Sequence, residues 1–202
     1  MATVCLTLQP NVRFSIRHQG TFMGQIQPHY RVLLVAAITS RYPSAIQWAI
    51  SRATDQWSNV CIKSNIFDFS ETGFYEKTMG QQLKKQLVAF QTVDPKNLPD
   101  FKTISNEWEQ QYADQFDHPE QRPLNIDPGY ITEAKLVLAT TKDRDHRIYL
   151  RDGIYAEVTL HYQQHDWVES RWTYPDYRRA DFQAFFTECR NQLRNELKKG
   201  KP

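Results

Sequence analysis

AKLVLATTKDRDHRIYLRDGIYAEVTLHY, residues 134–162, is the stretch whose reading decides the fold. It divides into three runs of strand character, 134–142, 146–151 and 154–162, separated by clusters of turn-forming residues. The second connection holds Arg151, Asp152 and Gly153. A two-residue turn at Asp152-Gly153 would set Ile148 against Glu157, a charge beside an apolar residue. A three-residue loop, with Gly153 in the left-handed position of a bulge, sets Leu150 against Ile154 and Ile148 against Ala156. Tyr149 then faces Tyr155 and Arg147 faces Glu157, so apolar meets apolar and opposite charges meet. With Asp143-Arg144-Asp145 as the first loop, the three strands form a meander in which Leu138 meets Leu150 and Thr140 meets Ile148. One face is oily. The other carries the row Thr141, Arg147, Glu157 and the row Ala139, Tyr149, Tyr155, with Lys135 and Thr159 alongside.

Upstream, residues 31–39 form a continuous apolar run, the pattern of a strand buried on both faces. Ser40 and Pro43 open a helix whose Ile46, Ala49, Ile50, Ala53 and Trp57 fall on one stripe. Residues 60–69 and 83–93 read as strands around a glycine-punctuated excursion, 71–80. A helix follows at 97–116. Pro128-Gly129 signals a turn within 124–132, with Gly129 taking positive φ. An aromatic loop from Trp167 to Tyr177 leads into a last helix, 178–197, with Phe182, Phe185, Phe186, Cys189, Leu193 and Leu197 on one face. The order is β-α-β-β-α-β, then a hairpin and a helix. The expected fold is therefore α+β: a ferredoxin-like split β-α-β core with an added C-terminal antiparallel hairpin and terminal helix. Residues 30–198 read as one domain. Residues 1–29 read as a poorly patterned extension with one strand at Val12 to Arg17, and 199–202 as a tail.

The bulk numbers exclude several functions. Twenty-five basic and 23 acidic residues leave a net charge of +2, which does not suggest a general nucleic-acid binder. Cys5, Cys61 and Cys189 are odd in number and far apart, with no disulfide framework, metal or cofactor motif. No apolar stretch is long enough to span a membrane and no signal peptide opens the chain, so the cytoplasm is the default compartment. An aromatic fraction of 13% supplies side chains suited to pocket walls and interfaces, including those of a homo-oligomer.

The stretches Asn125 to Tyr130, Lys135 to Asp143, His146 to Leu150 and Gly153 to Leu160 resemble the signature of the domain of unknown function 4416 family. Trp172-Thr173-Tyr174-Pro175-Asp176-Tyr177 resembles its closing motif. Phe67-Asp68-Phe69 and Met79-Gly80, with Leu83 and Lys84, resemble its earlier one. The resemblance covers roughly residues 31–195 and brings no established activity, although some members carry a GTP-binding label. A P-loop requires G-x-x-x-x-G-K-[ST], and none of the seven glycines here stands in that context. What the resemblance implies is a place: its motif residues coincide with the polar face of the meander.

Arg147 and Lys142, with Lys135 or Lys84 nearby, are candidates for holding a phosphate or carboxylate. Thr141 can add a hydroxyl, and Tyr149, Tyr155 and Tyr174 can stack a base or sugar. Glu157, Asp127 and His146 are the candidate acid–base residues. Each has a structural alternative: an exposed ion pair for Arg147–Glu157, a turn-capping role for Asp127, a solvated strand end for His146. The functional expectation is a small anionic or phosphorylated ligand, a nucleotide included, with catalysis on it an extension. A protein–protein module using the Trp167–Tyr177 loop is the alternative. An RNA-binding sheet stands third.

Overall fold

A computed structural model describes residues 29–70 and 75–199. The strand read at Val12 to Arg17, the rest of the first 28 residues, part of the 71–80 excursion and the last three residues lie outside the described residues.

The fold is α+β. In chain order the elements are β1 (Val32–Ser40), α1 (Pro43–Gln56), β2 (Val60–Phe69), α2 (Glu76–Met79), β3 (Leu83–Val93), α3 (Leu98–Gln115), β4 (Asn125–Ile131), β5 (Lys135–Thr140), β6 (Ile148–Arg151), β7 (Ile154–Gln163), β8 (Asp166–Glu169) and α4 (Ala180–Lys199). The strands form one antiparallel sheet ordered β2-β3-β1-β4-β5-β7-β6, and β8 also pairs with β7. α1 joins β1 to β2, and β3 runs between those two strands.

β1 explains its own composition. All nine of its residues are buried, because the sheet is covered on both sides there. Leu34, Ala36 and Ile38 pack with Ala45, Ile46 and Ala49 of α1 and Trp108 and Tyr112 of α3. Leu33, Val35 and Ala37 pack with Phe182, Phe185 and Phe186 of α4. Pro43 opens α1 at a position where a missing N–H costs nothing. The Ser40 hydroxyl accepts from the Tyr42 amide at 3.0 Å and donates to the Pro123 carbonyl at 2.6 Å, tying the helix entry to the strand bundle.

Three expectations are corrected. First, residues 125–131 are not a turn but strand β4, paired with β1 along its whole length. β5 pairs with it only at Gly129–Ile131, so Pro128, which has no N–H to give, stands where that ladder stops. Gly129 is not needed for positive φ, which only Gly80 and Gly153 adopt among the described glycines. It is needed for room: a Cβ there would lie 2.3 Å from the Val137 carbonyl oxygen and 2.6 Å from Leu138 Cδ2.

Second, β5, β6 and β7 are not a meander. The long strand β7 takes the place beside β5, with Leu138 opposite Glu157, Ala139 opposite Ala156 and Thr140 opposite Tyr155. This buries Val137, Ala139 and Ile154 against Leu98 at the start of α3. The short β6 is left at the sheet edge, where a short strand is the least hazardous. The expected oily face is lost with the meander: Ile148 is 69% exposed, and Leu150 is exposed too. Third, the β6–β7 turn has two residues. Asp152 and Gly153 both take positive φ, Arg151 faces Ile154, and the extra residue is absorbed as an irregularity at Leu150. The pairs Ile148–Ala156 and Tyr149–Tyr155 stand as expected.

Candidate functional site

Below Gly129 and Leu138, strands β4 and β5 part. The gap is a cleft of about 130 Å³ that reaches through the sheet from the α4 side to α3. Alternation along the strands brings Lys85 and Asn125 to it from either side of Thr39. Lys85 of β3, Thr39 of β1 and Asn125 of β4 are directly opposed and share one face. The Thr39 hydroxyl is buried without a hydrogen-bond partner among the described residues. β5 has no strand partner on this side beyond Leu138, so its edge at Ala139 and Thr140 forms a wall of the cleft.

Three charged clusters line it. The first is a closed ring. Arg122 donates to Glu109 Oε2 (2.7 Å from Nη2, 3.1 Å from Nε) and to the Asn125 side-chain oxygen. Asn125 donates to Asp127 Oδ2 at 2.7 Å, Asp127 Oδ1 accepts from Lys102 Nζ at 3.3 Å, and Lys102 lies 4.0 Å from Glu109. Lys102 comes from the buried stripe of α3, is 4% exposed, and donates to the Ile126 carbonyl at 2.9 Å. Burial alone would raise the Asp127 carboxyl, but the charge of Lys102 and the Asn125 hydrogen bond outweigh it and hold it below the usual carboxylate range. Burial dominates at Glu109 and pushes its carboxyl up despite Lys102 and Arg122.

The second cluster is Lys85–Asp176. Lys85 Nζ lies 2.5 Å from Asp176 Oδ2 and 3.9 Å from the centre of the Phe69 ring, and both charged groups are buried. The third is centred on Glu157 of β7. Its Oε2 accepts from Arg147 Nε at 2.8 Å and lies 3.1 Å from His146 Nε2, while Arg147 Nη1 donates to the Lys142 carbonyl at 2.9 Å. His146 Nδ1 lies 2.9 Å from Asp145, and the imidazole stacks on Trp172 at 4.8 Å. Hydrogen bonding to His146, with Arg171 nearby, keeps the Asp145 carboxyl low. Tyr75, Tyr174 and Tyr177 complete the walls, and burial pushes the Tyr75 and Tyr177 phenols up.

The cleft gathers Glu157, Asp127, Arg147, Lys142, Thr141 and Tyr174 from the residues the sequence nominated. The Thr141–Arg147–Glu157 row is corrected at Thr141. Arg147 adjoins Ile148, whose partner is Ala156, and so meets Glu157 by the expected β6–β7 register, but Thr141 lies beyond β5, which pairs with β7 and not with β6. His146 stands behind Glu157 rather than in the cleft. Four nominations fall elsewhere. Lys135 is at the opposite end of β5, exposed and level with His161. Tyr149 and Tyr155 pack edge to face, 5.4 Å apart, near the sheet margin. Lys84 points to the other face from Lys85 and pairs with Asp68.

Lys85, Lys102, Arg122, Asn125 and Asp176 were missed. A signal existed for Lys102 and Glu109, which fall with Leu98, Ser105 and Tyr112 on the buried stripe of α3, where a lysine and a glutamate have no packing purpose.

The family comparison settles membership. The model of a domain of unknown function (DUF4416) matches residues 30–193, most of the chain. The protein belongs to the DUF4416 family. No curated protein matches it. The matched span of this DUF4416 chain takes in every residue that lines the cleft. Among its described residues no helix is long and apolar enough to cross a membrane, and no three His, Cys, Asp or Glu side chains are grouped as a metal ion would require.

Proposed function

We propose that this protein binds a small anionic metabolite, phosphorylated or carboxylated, in the cleft between β4 and β5. One observation carries the reading. Four cationic side chains, Lys85, Lys102, Arg122 and Arg147, come from four different parts of the chain to one small cleft, and each is neutralised by a buried or half-buried carboxylate. Buried ion pairs are a poor means of stabilising a fold, since desolvation offsets the attraction. Four of them around an opening are more economically explained by what enters it. Arg122 Nη1 and Arg147 Nη2 have no hydrogen bond among the described residues, so each guanidinium has donors to spare. Asp127 and Glu157 line the cleft and are the carboxylates that an acid–base step on such a ligand would use.

The other readings find less support. In the aromatic segment Trp167 and Tyr177 are buried, and Trp172 donates to the Val158 carbonyl at 3.1 Å, so most of its surface is spent on packing rather than display. Helices cover both faces of the sheet around β1, which leaves no bare platform there for stacking bases.

The test is thermal unfolding with nucleotides, sugar phosphates and small carboxylates. A ligand at a hundred times its Kd adds about 2.7 kcal/mol of stability. Arg147→Ala should remove that gain. No gain from any member of the panel defeats the reading.

A further inference from the structure

We infer that the ligand is a phosphomonoester bound end-on, its phosphate in the cleft and its organic part outside against Tyr174, and not a nucleoside triphosphate. The inference rests on the anion-binding reading above. Three observations carry it.

The first is size. A volume of about 130 Å³ is well below that of sites that engulf whole metabolites, commonly about 300–1,000 Å³. It admits a phosphate group with ordered water, and nothing much larger.

The second is the arrangement of donors. A carboxylate is planar and is met by a fork from one side. Here Lys102 approaches from α3, Arg122 from the segment before β4, Lys85 from β3 and Arg147 from the segment after β5. The unpaired edge of β5 at Ala139 and Thr140 adds a further wall. Donors arriving from several sides suit a tetrahedral oxyanion.

The third is charge. Among the described residues five cationic side chains line the cleft: Lys85, Lys102, Arg122, Lys142 and Arg147. Asp127, Glu157 and Asp176 oppose them from within it, and Glu109 from behind. A phosphomonoester, carrying about −1.5 to −2 near neutral pH, brings little charge among those carboxylates. A triphosphate carries far more and would meet three carboxylates in the same space. The way out passes Thr141, Lys142 and Tyr174, all exposed, with Tyr174 41% exposed. A sugar or ring can lie on that phenol.

The experiment is calorimetric titration of the full chain with inorganic phosphate, phenyl phosphate, AMP, pyrophosphate, GTP and citrate. It is repeated with Arg147→Lys, which keeps a charge beside Glu157 but loses the spare guanidinium nitrogen, and with the surface change Tyr174→Ala. Phosphate, phenyl phosphate and AMP should bind, with GTP and pyrophosphate at least tenfold weaker. Arg147→Lys should weaken every phosphate about tenfold. Tyr174→Ala should weaken AMP and phenyl phosphate several-fold and leave inorganic phosphate unchanged. GTP binding as tightly as AMP, citrate binding where phosphate does not, or Tyr174→Ala leaving AMP untouched overturns the end-on phosphomonoester while the anion site stands. No binding by any of the six anions removes both.

Discussion

Replacing Gly129 by alanine tests the geometry from which the cleft is built. The new Cβ would sit 2.3 Å from a backbone oxygen of β5, where ordinary contact begins near 3.4 Å. β5 must therefore retreat by about 1 Å, and a carbonyl cannot swing aside as a flexible side chain can. Overpacking of this kind costs about 1–3 kcal/mol. The three-residue ladder Gly129–Ile131 would be strained with it, which places the loss near the top of that range. For a chain of this size about 3 kcal/mol corresponds to a fall of roughly 6–12 °C in Tm. Urea unfolding gives the free energy, and amide exchange at Leu136 to Leu138 reports whether the ladder loosens. Gly153→Ala is the control. Nothing lies within 4 Å of its Cβ, but its φ of +74° is left-handed, so it should cost about 1 kcal/mol without touching that ladder. A Gly129→Ala protein within about 0.5 kcal/mol of wild type, or one less affected than Gly153→Ala, would refute the close approach.

Lys102→Met should destabilise by about 3 kcal/mol, because it leaves Glu109 and Asp127 without their shared cation. Adding Glu109→Gln should recover part of that loss, and strict additivity in a double-mutant cycle would show that the ring is not coupled. Asp127 titrates below its unfolded value of about 3.9, so its contribution is present above that pH and is lost as the pH falls through its folded value. Stability curves from pH 2 to 7 should accordingly be flatter on the acid side in Asp127→Asn, and identical slopes would contradict the pairing with Lys102. Lys135→Ala and Lys84→Ala, both remote from the cleft, should leave anion binding within twofold of wild type in the same titrations.

Much of the fold is legible in local pattern. A short unbroken apolar run followed by Ser40 and Pro43 is the pattern of a strand covered on both faces, and β1 is one. The facing pairs Ile148–Ala156 and Tyr149–Tyr155 follow from which side chains tolerate each other across a turn. Strand order is another matter. Nothing in the residues of β5 says that β7 rather than β6 will lie beside it, because that choice is made by burying Val137 and Ala139 on Leu98, nearly forty residues away in sequence. Pro128-Gly129 misleads for a related reason. Its local preference for a turn is overridden by a tertiary need for a residue without a side chain where two strands nearly touch. The candidate site shows both effects. Arg147 and Glu157 were nominated from the register that sets Ile148 against Ala156, and they meet one step beyond that pair, whereas Thr141 was placed in their row by a β5–β6 pairing that does not exist. Lys85 went unread beside Lys84, although alternation sends adjacent residues to opposite faces and only one of the two could have pointed inward.

The parallel contact of His146 with Trp172 makes the protein its own optical probe. An imidazole lying flat on an indole alters its emission, and this imidazole also touches the carboxylate that holds Arg147. Any guest that draws the arginine away from Glu157 changes what the histidine feels, so occupancy should register as a change in tryptophan brightness without a label or a dye.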